Sequence, residues 1–137
     1  MERQKTLVLD ASIIAKWFLN EEESDKARLI KKDLERGKVS VVIPELLFLE
    51  ILNSLRYNDV KEKNIQIANK VLFDIGLIIT RLNKEIMIQA IENSIKYNIT
   101  IYDSLYLTVA QLHGAPLITA DKRLLKIPGV ISLEKID

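Results

Sequence analysis

Four carboxylates stand where a fold could gather them: Asp10, Glu50, Asp103 and Asp121. Asp10 ends the apolar run Leu7-Val8-Leu9, and Asp121 follows Leu117-Ile118-Thr119 in the same strand-then-acid pattern. In a parallel sheet, ligands bind in the crevice outside the C-terminal ends of the strands, which is where these acids would emerge. Glu50 lies in the segment PELLFLEILNSLRYN, apolar around most of its helical circumference. A carboxylate there is unfavourable unless it is exposed, paired or bound to a metal. Asp103 opens a helix, Tyr102–His113, that is apolar almost all round, the pattern of a buried helix. Carboxylates without His or Cys partners suit hard cations such as Mg²⁺ or Mn²⁺. Acids clustered on one rim would repel one another without such a cation, and a carboxylate-held Mg²⁺ points to phosphate chemistry.

Each acid also has an ordinary reading. Asp10 is a good helix N-cap, with Ser12 the alternative cap. Asp103 suits the positive end of a helix dipole, Asp121 suits the cap of a short terminal turn, and Glu50 could simply face solvent. The conjunction is harder to set aside, because three of the four follow or approach strand ends on one expected rim.

The elements that must position these acids follow from patterning. Thr6–Leu9, Val39–Ile43, Leu77–Thr80 and Leu117–Thr119 read as short buried strands, with a weaker one at Val130–Leu133. Helices are expected from Asp10 to about Leu19, from a Glu21–Ser24 cap to Gly37, over Glu45–Tyr57 with Pro44 as its first residue, and from Lys61 to Asp74. Lys84–Tyr97 is expected to bury Met87, Ile88, Ile91 and Ile95 on one face. Strands alternating with helices predict an α/β fold with a mostly parallel sheet covered on both faces.

The 137 residues suit a single domain, with 48% hydrophobic and 28% charged residues. The chain has no Cys, which removes disulfides, thiolate metal sites and Cys nucleophiles. The N-terminal apolar run is too short for a signal peptide and is broken by Asp10. No stretch reaches the roughly 20 apolar residues of a membrane span, so the cytoplasm is the expected compartment. The net charge of +1 and pI of 7.9 give no bulk attraction to a polyanion. The single histidine, His113, sits beside Gly114 at a helix C-terminus and is read as structural. There is no Gly-x-Ser-x-Gly elbow, Gly-x-Gly-x-x-Gly or Walker A sequence. Trp17 and Phe18 are read as core or interface.

Three segments in order, LVLDASIIAKWFL, PELLFLEILNSL and YDSLYLTVAQLHGAPLITADKRL, resemble the PIN-domain ribonucleases, and among them the VapC-type toxins of toxin–antitoxin pairs. The resemblance implies one PIN domain over residues 1–137, a three-layer α/β/α fold with a parallel sheet of about five strands and a carboxylate quartet at its C-terminal rim. That quartet falls on Asp10, Glu50, Asp103 and Asp121. The implied activity is metal-dependent hydrolysis of RNA. Asp10, Asp103 and Asp121 would bind Mg²⁺ or Mn²⁺, and Glu50 would orient or deprotonate the attacking water. Ser12, Asn53 and Thr119 would hold the carboxylates or contact phosphate; Lys16, Arg56, Lys122 and Arg123 are the nearby cations. Ser104 replaces the Ala typical after the third acid. The implied partners are the RNA substrate and a cognate antitoxin protein, with a homodimer open and no membrane.

Two rivals differ in class. A receiver-type phosphoacceptor needs paired acids after the first strand, which Asp10-Ala11 does not supply. A PIN-like protein-binding module without catalysis would be favoured by loss of one acid, and all four are present.

Overall fold

Strand and helix alternate from one end to the other in the computed structural model, which describes residues 4–136. Readings that touch Met1–Arg3 or Asp137 lie outside the described residues. The strands are β1 (Lys5–Leu9), β2 (Val39–Pro44), β3 (Ile78–Thr80), β4 (Leu117–Thr119) and β5 (Val130–Ser132). The helices are α1 (Ala11–Ile14), α2 (Ser24–Glu35), α3 (Leu46–Tyr57), α4 (Glu62–Asp74), α5 (Lys84–Tyr97) and α6 (Ile101–His113).

All five strands pair in parallel in the order β3-β2-β1-β4-β5. The chain steps outward from β1 to β3, then crosses back to lay β4 on the other side of β1. Right-handed crossovers therefore put α1–α4 on one face and α5–α6 on the other, giving the three layers. α6 lies against β1, β2 and β4, and α2 against β2. Connections leave β1 and β4 in opposite directions, so a crevice opens between their C-terminal ends, the switch point of an open α/β sheet. Asp10 and Asp121 flank it.

The central strands read as continuous apolar runs because both of their faces are covered. Val8, Leu9, Val41, Ile43 and Ile118 are fully buried, and Ile13, Leu47, Ile51 and Leu55 pack on them. Each such side chain contributes about 1.5–3 kcal/mol by leaving water. Trp17 belongs to this core, its indole N–H donating to the Ala27 carbonyl at 3.0 Å.

Four expectations need correction. The first helix ends at Ile14 and tightens to a 3₁₀ turn over Ala15–Trp17. The Arg28 guanidinium takes the Trp17 and Leu19 carbonyls, and the Ser24 hydroxyl also donates to Leu19, so the helix has no reason to continue. Ser24 is the first residue of α2, not its cap; Glu23 precedes it in a left-handed conformation, φ 65°. Pro44 closes β2 opposite Thr80 instead of starting α3, a strand-end position that needs no donor from proline. On α5 the expected face is reversed: Ile88, Ile91 and Ile95 are exposed and Met87 half-buried, while Ile86, Ala90 and Asn93 are buried. Asn93 can turn inward because its amide donates to Thr108 and Gln111 on α6, at 2.9 and 2.8 Å. Among the described residues, no helix is long and apolar enough to cross a membrane.

Candidate active site

Asp10 emerges from β1 into the crevice and is buried, 6% exposed. Its Oδ1 accepts from the Ser12 hydroxyl at 2.5 Å and from the Ile13 amide at 3.3 Å, so it caps α1 as the ordinary reading has it. Its Oδ2 accepts from the Thr119 hydroxyl at 2.5 Å, across the switch point. Both hydroxyls are used twice: Ser12 Oγ accepts the Ala120 amide, and Thr119 Oγ1 the Asp121 amide. The ends of β1 and β4 are thereby tied through one carboxylate. Burial pushes Asp10 up to about 6, against these three donors, and the charge of Asp103 adds to the rise.

Asp103 sits in the first turn of α6, where Thr100 and not Asp103 is the cap: the Thr100 hydroxyl accepts the Asp103 amide at 3.0 Å. The carboxylate does no capping; it stays close to the Thr100 hydroxyl at the rim. Its burial raises it above the ordinary range, against a hydrogen bond from the Thr100 hydroxyl; Asp121 adds to the rise and Arg123 offsets part of it. Glu50, one turn into α3, is half-buried and also raised, by burial first and then by Asp103, with a hydrogen bond from Tyr106 opposing. The charge of Asp103 thus hinders the ionisation of both Asp10 and Glu50, which places the three in one region.

Asp121 behaves differently. It caps the 3₁₀ turn Lys122–Leu124, and both its oxygens are taken by the Arg123 guanidinium, at 3.1 and 2.7 Å. That pairing lowers its pKa.

A scan of family models matches residues 7–130, nearly the whole chain, to the PIN domain. The chain belongs to the PIN domain family. No curated protein matches it by sequence. Among solved structures, the PIN domain is similar to a toxin–antitoxin complex from Klebsiella pneumoniae, at 22% identity and TM-score 0.68, covering 95% of this chain and 99% of that one. It also resembles Mycobacterium tuberculosis VapC20, described as a Sarcin-Ricin loop cleaving toxin, at 14% identity and TM-score 0.72, covering 90% and 96%. A third is VapBC2 from Rickettsia felis, bound to a DNA fragment from the pair's promoter, at 17% identity and TM-score 0.70, covering 93% and 96%. The resemblance read from the three sequence segments is upheld at the level of family and fold.

Within this PIN domain, Ser12 and Thr119 stand where the sequence reading put them, holding Asp10. Asn53 is exposed on α3, and among the described residues it has no hydrogen bond to an acid, which leaves it the phosphate-contact part of its expected role. Ser54, one residue on, instead lines a shallow cavity with Glu50, Ser12, Lys16 and Glu21. Lys16 is buried against this cavity, 3.8 Å from Glu21. Arg56 and Lys122 are exposed, and His113 is exposed at the end of α6.

Tyr106 escaped the sequence reading. It is 2% exposed in the apolar run of α6, yet its hydroxyl donates to Glu50 Oε1 at 2.5 Å. Burial and the adjacent Glu50 charge hold its phenol well above the ordinary pKa. The only sequence signal was that Tyr, unlike its Leu and Val neighbours, needs a partner for its hydroxyl when buried.

Among the described residues, no three acid side chains stand ready-made around one ion. The donor set nevertheless fits Mg²⁺ or Mn²⁺: it is all oxygen, and three of its carboxyls are held above their ordinary range by burial and mutual charge, which a cation would relieve. Mg²⁺ keeps several waters and needs only one or two direct carboxylates, so a tighter cage is not required.

Proposed function

We propose that this PIN domain is a metal-dependent endoribonuclease, the toxin of a toxin–antitoxin pair. The observation that carries the reading is the convergence of Asp10, Glu50 and Asp103 at the β1/β4 switch point, each raised by burial and by charge from its neighbours. Such a group is unfavourable for folding alone and is of use when a cation and a phosphate complete it.

In this reading Asp10 and Asp103 would hold Mg²⁺ or Mn²⁺, directly or through water. Asp121 joins them by releasing part of its pairing with Arg123. When bound, the ion would supply a lowered pKa for the attacking water and charge stabilisation on the phosphate oxygens. Glu50 would orient that water and accept its proton as the water oxygen bonds to phosphorus; the opposite P–O bond breaks and the departing ribose oxygen takes a proton from solvent. Ser12 and Thr119 keep Asp10 from turning away. Arg123, once partly released, can face the phosphate bidentately, as guanidinium geometry favours.

The proposal extends to an antitoxin partner, a homodimer and a cytoplasmic setting. Support comes from the toxin–antitoxin assemblies among the structural neighbours and from large apolar residues left exposed. Ile88, Ile91 and Ile95 form one such group on α5, and Leu49, Phe73, Ile79 and Leu82 another beside edge strand β3. Exposed apolar patches of this kind mark contact surfaces.

The test is cleavage of total RNA by the purified protein with Mg²⁺ or Mn²⁺, repeated in excess chelator. Cleavage with either ion that stops on chelation supports the reading. Cleavage that persists after thorough chelation overturns the metal mechanism, and no cleavage under any condition overturns the nuclease.

A further inference from the structure

Orienting a water requires a fixed direction at Glu50, yet its carboxylate has one restraint among the described residues. Asp10 accepts from three donors. Among the described residues Glu50 accepts from one, the Tyr106 hydroxyl at 2.5 Å. That bond spans 56 residues, and among the described residues it is the only hydrogen bond between α3 and α6. It joins helices on opposite faces of the sheet at the rim where the acids gather. A half-buried glutamate without it would be free to exchange rotamers, as the long flexible side chain otherwise does. The ring of Tyr106, fixed within the core, leaves only its hydroxyl to reach the site.

We propose that Tyr106 is a positioning residue for the hydrolysis, its hydroxyl aiming the Glu50 carboxylate at the attacking water. The proposal rests on the nuclease reading. Phe in place of Tyr106 fills the same core space and removes only the donor, so Tyr106→Phe isolates the hydrogen bond from the packing. Tyr106 acts through Glu50, so its effect must vanish when the Glu50 carboxylate is drawn back. Glu50→Asp does this by shortening the side chain while keeping the charge.

The experiment compares wild type, Tyr106→Phe, Glu50→Asp and the double variant in Mn²⁺-supported RNA cleavage, and in urea unfolding of the metal-free proteins. Tyr106→Phe is expected to lower kcat by about tenfold to a hundredfold, the scale of a small misplacement, with KM for RNA within about twofold of wild type. In the Glu50→Asp background the same change is expected to have no further effect. The unfolding data are expected to show non-additive losses, since residues in contact couple. A Tyr106→Phe variant with wild-type kcat, an equal loss in both backgrounds, or strictly additive unfolding would overturn the positioning role. A wild type that cuts no RNA overturns the nuclease reading itself, and the positioning role with it, a result distinct from an active wild type matched by an active Tyr106→Phe.

Discussion

Asp121 and Arg123, two residues apart, close on each other: the guanidinium reaches both carboxylate oxygens, Nε to Oδ1 at 3.1 Å and Nη2 to Oδ2 at 2.7 Å. Arg123 is otherwise exposed, so the acid rim carries its own counter-cation. A divalent ion drawing on Asp121 must displace part of this pair. Arg123→Ala should therefore leave the fold intact and tighten Mn²⁺ binding by a few-fold, because one positive charge leaves the rim. Isothermal titration on wild type and variant checks this, and an unchanged affinity would place Asp121 outside the ion's reach.

The buried Asp10 sets a pH dependence for the metal-free protein. Its carboxyl lies at about 6 in the folded chain, against an ordinary 3.8. Between those values the folded state holds the proton more firmly than the unfolded state, so stability declines as pH rises through that window. The difference amounts to about 3 kcal/mol, fully lost by pH 7. Glu50 and Asp103 act in the same direction; Asp121, lowered by Arg123, acts in the opposite one. Urea unfolding at pH 5 and pH 7 should show wild type losing stability at the higher pH and Asp10→Asn losing much less. Parallel curves for the two proteins would remove Asp10 as the source of this pH dependence.

Thr119 has a sharper test. Its buried hydroxyl donates to Asp10 and accepts the Asp121 amide, so Thr119→Val keeps the shape and strands two polar groups. The expected loss is about 1–3 kcal/mol at pH 7, with most of it recovered by Thr119→Ser. Equal unfolding midpoints for Val and Thr would mean the tie between β1 and β4 carries no weight.

The strand-then-acid pattern at Leu9-Asp10 and Thr119–Asp121 was legible because a buried parallel strand is a short apolar run and its exit is a turn. What the sequence hid depended on distant partners. Asn93 looks like a solvent residue until Thr108 and Gln111 are beside it, and without them the Ile88-Ile91-Ile95 stripe is the natural choice for the buried face of α5. Asn53 has the right type and spacing on α3, but the turn of the helix carries it outward and presents Ser54 and Glu50 instead. Tyr106 reads as core, as it is, and nothing local reveals that its hydroxyl meets Glu50 on another helix.

The orientation of α5 can be checked directly. Ile95 is 79% exposed and Ala90 fully buried. Ile95→Lys should change the unfolding free energy by no more than about 0.5 kcal/mol, while Ala90→Leu should overpack the α5–α6 contact and lose about 1–3 kcal/mol. The reverse order would return the isoleucine stripe to the core.

If the acids form one catalytic group, Asp103 is the member that isolates it, since Thr100 already caps α6. Asp103→Asn removes one charge from a repelling cluster and keeps the backbone amide that the Thr100 hydroxyl caps. The decisive measurement is the rate of Mn²⁺-supported RNA cleavage by wild type and Asp103→Asn, alongside their metal-free melting temperatures. The variant is expected to melt at or above wild type and to cleave orders of magnitude more slowly. A variant that melts lower and still cuts RNA at the wild-type rate would contradict that grouping.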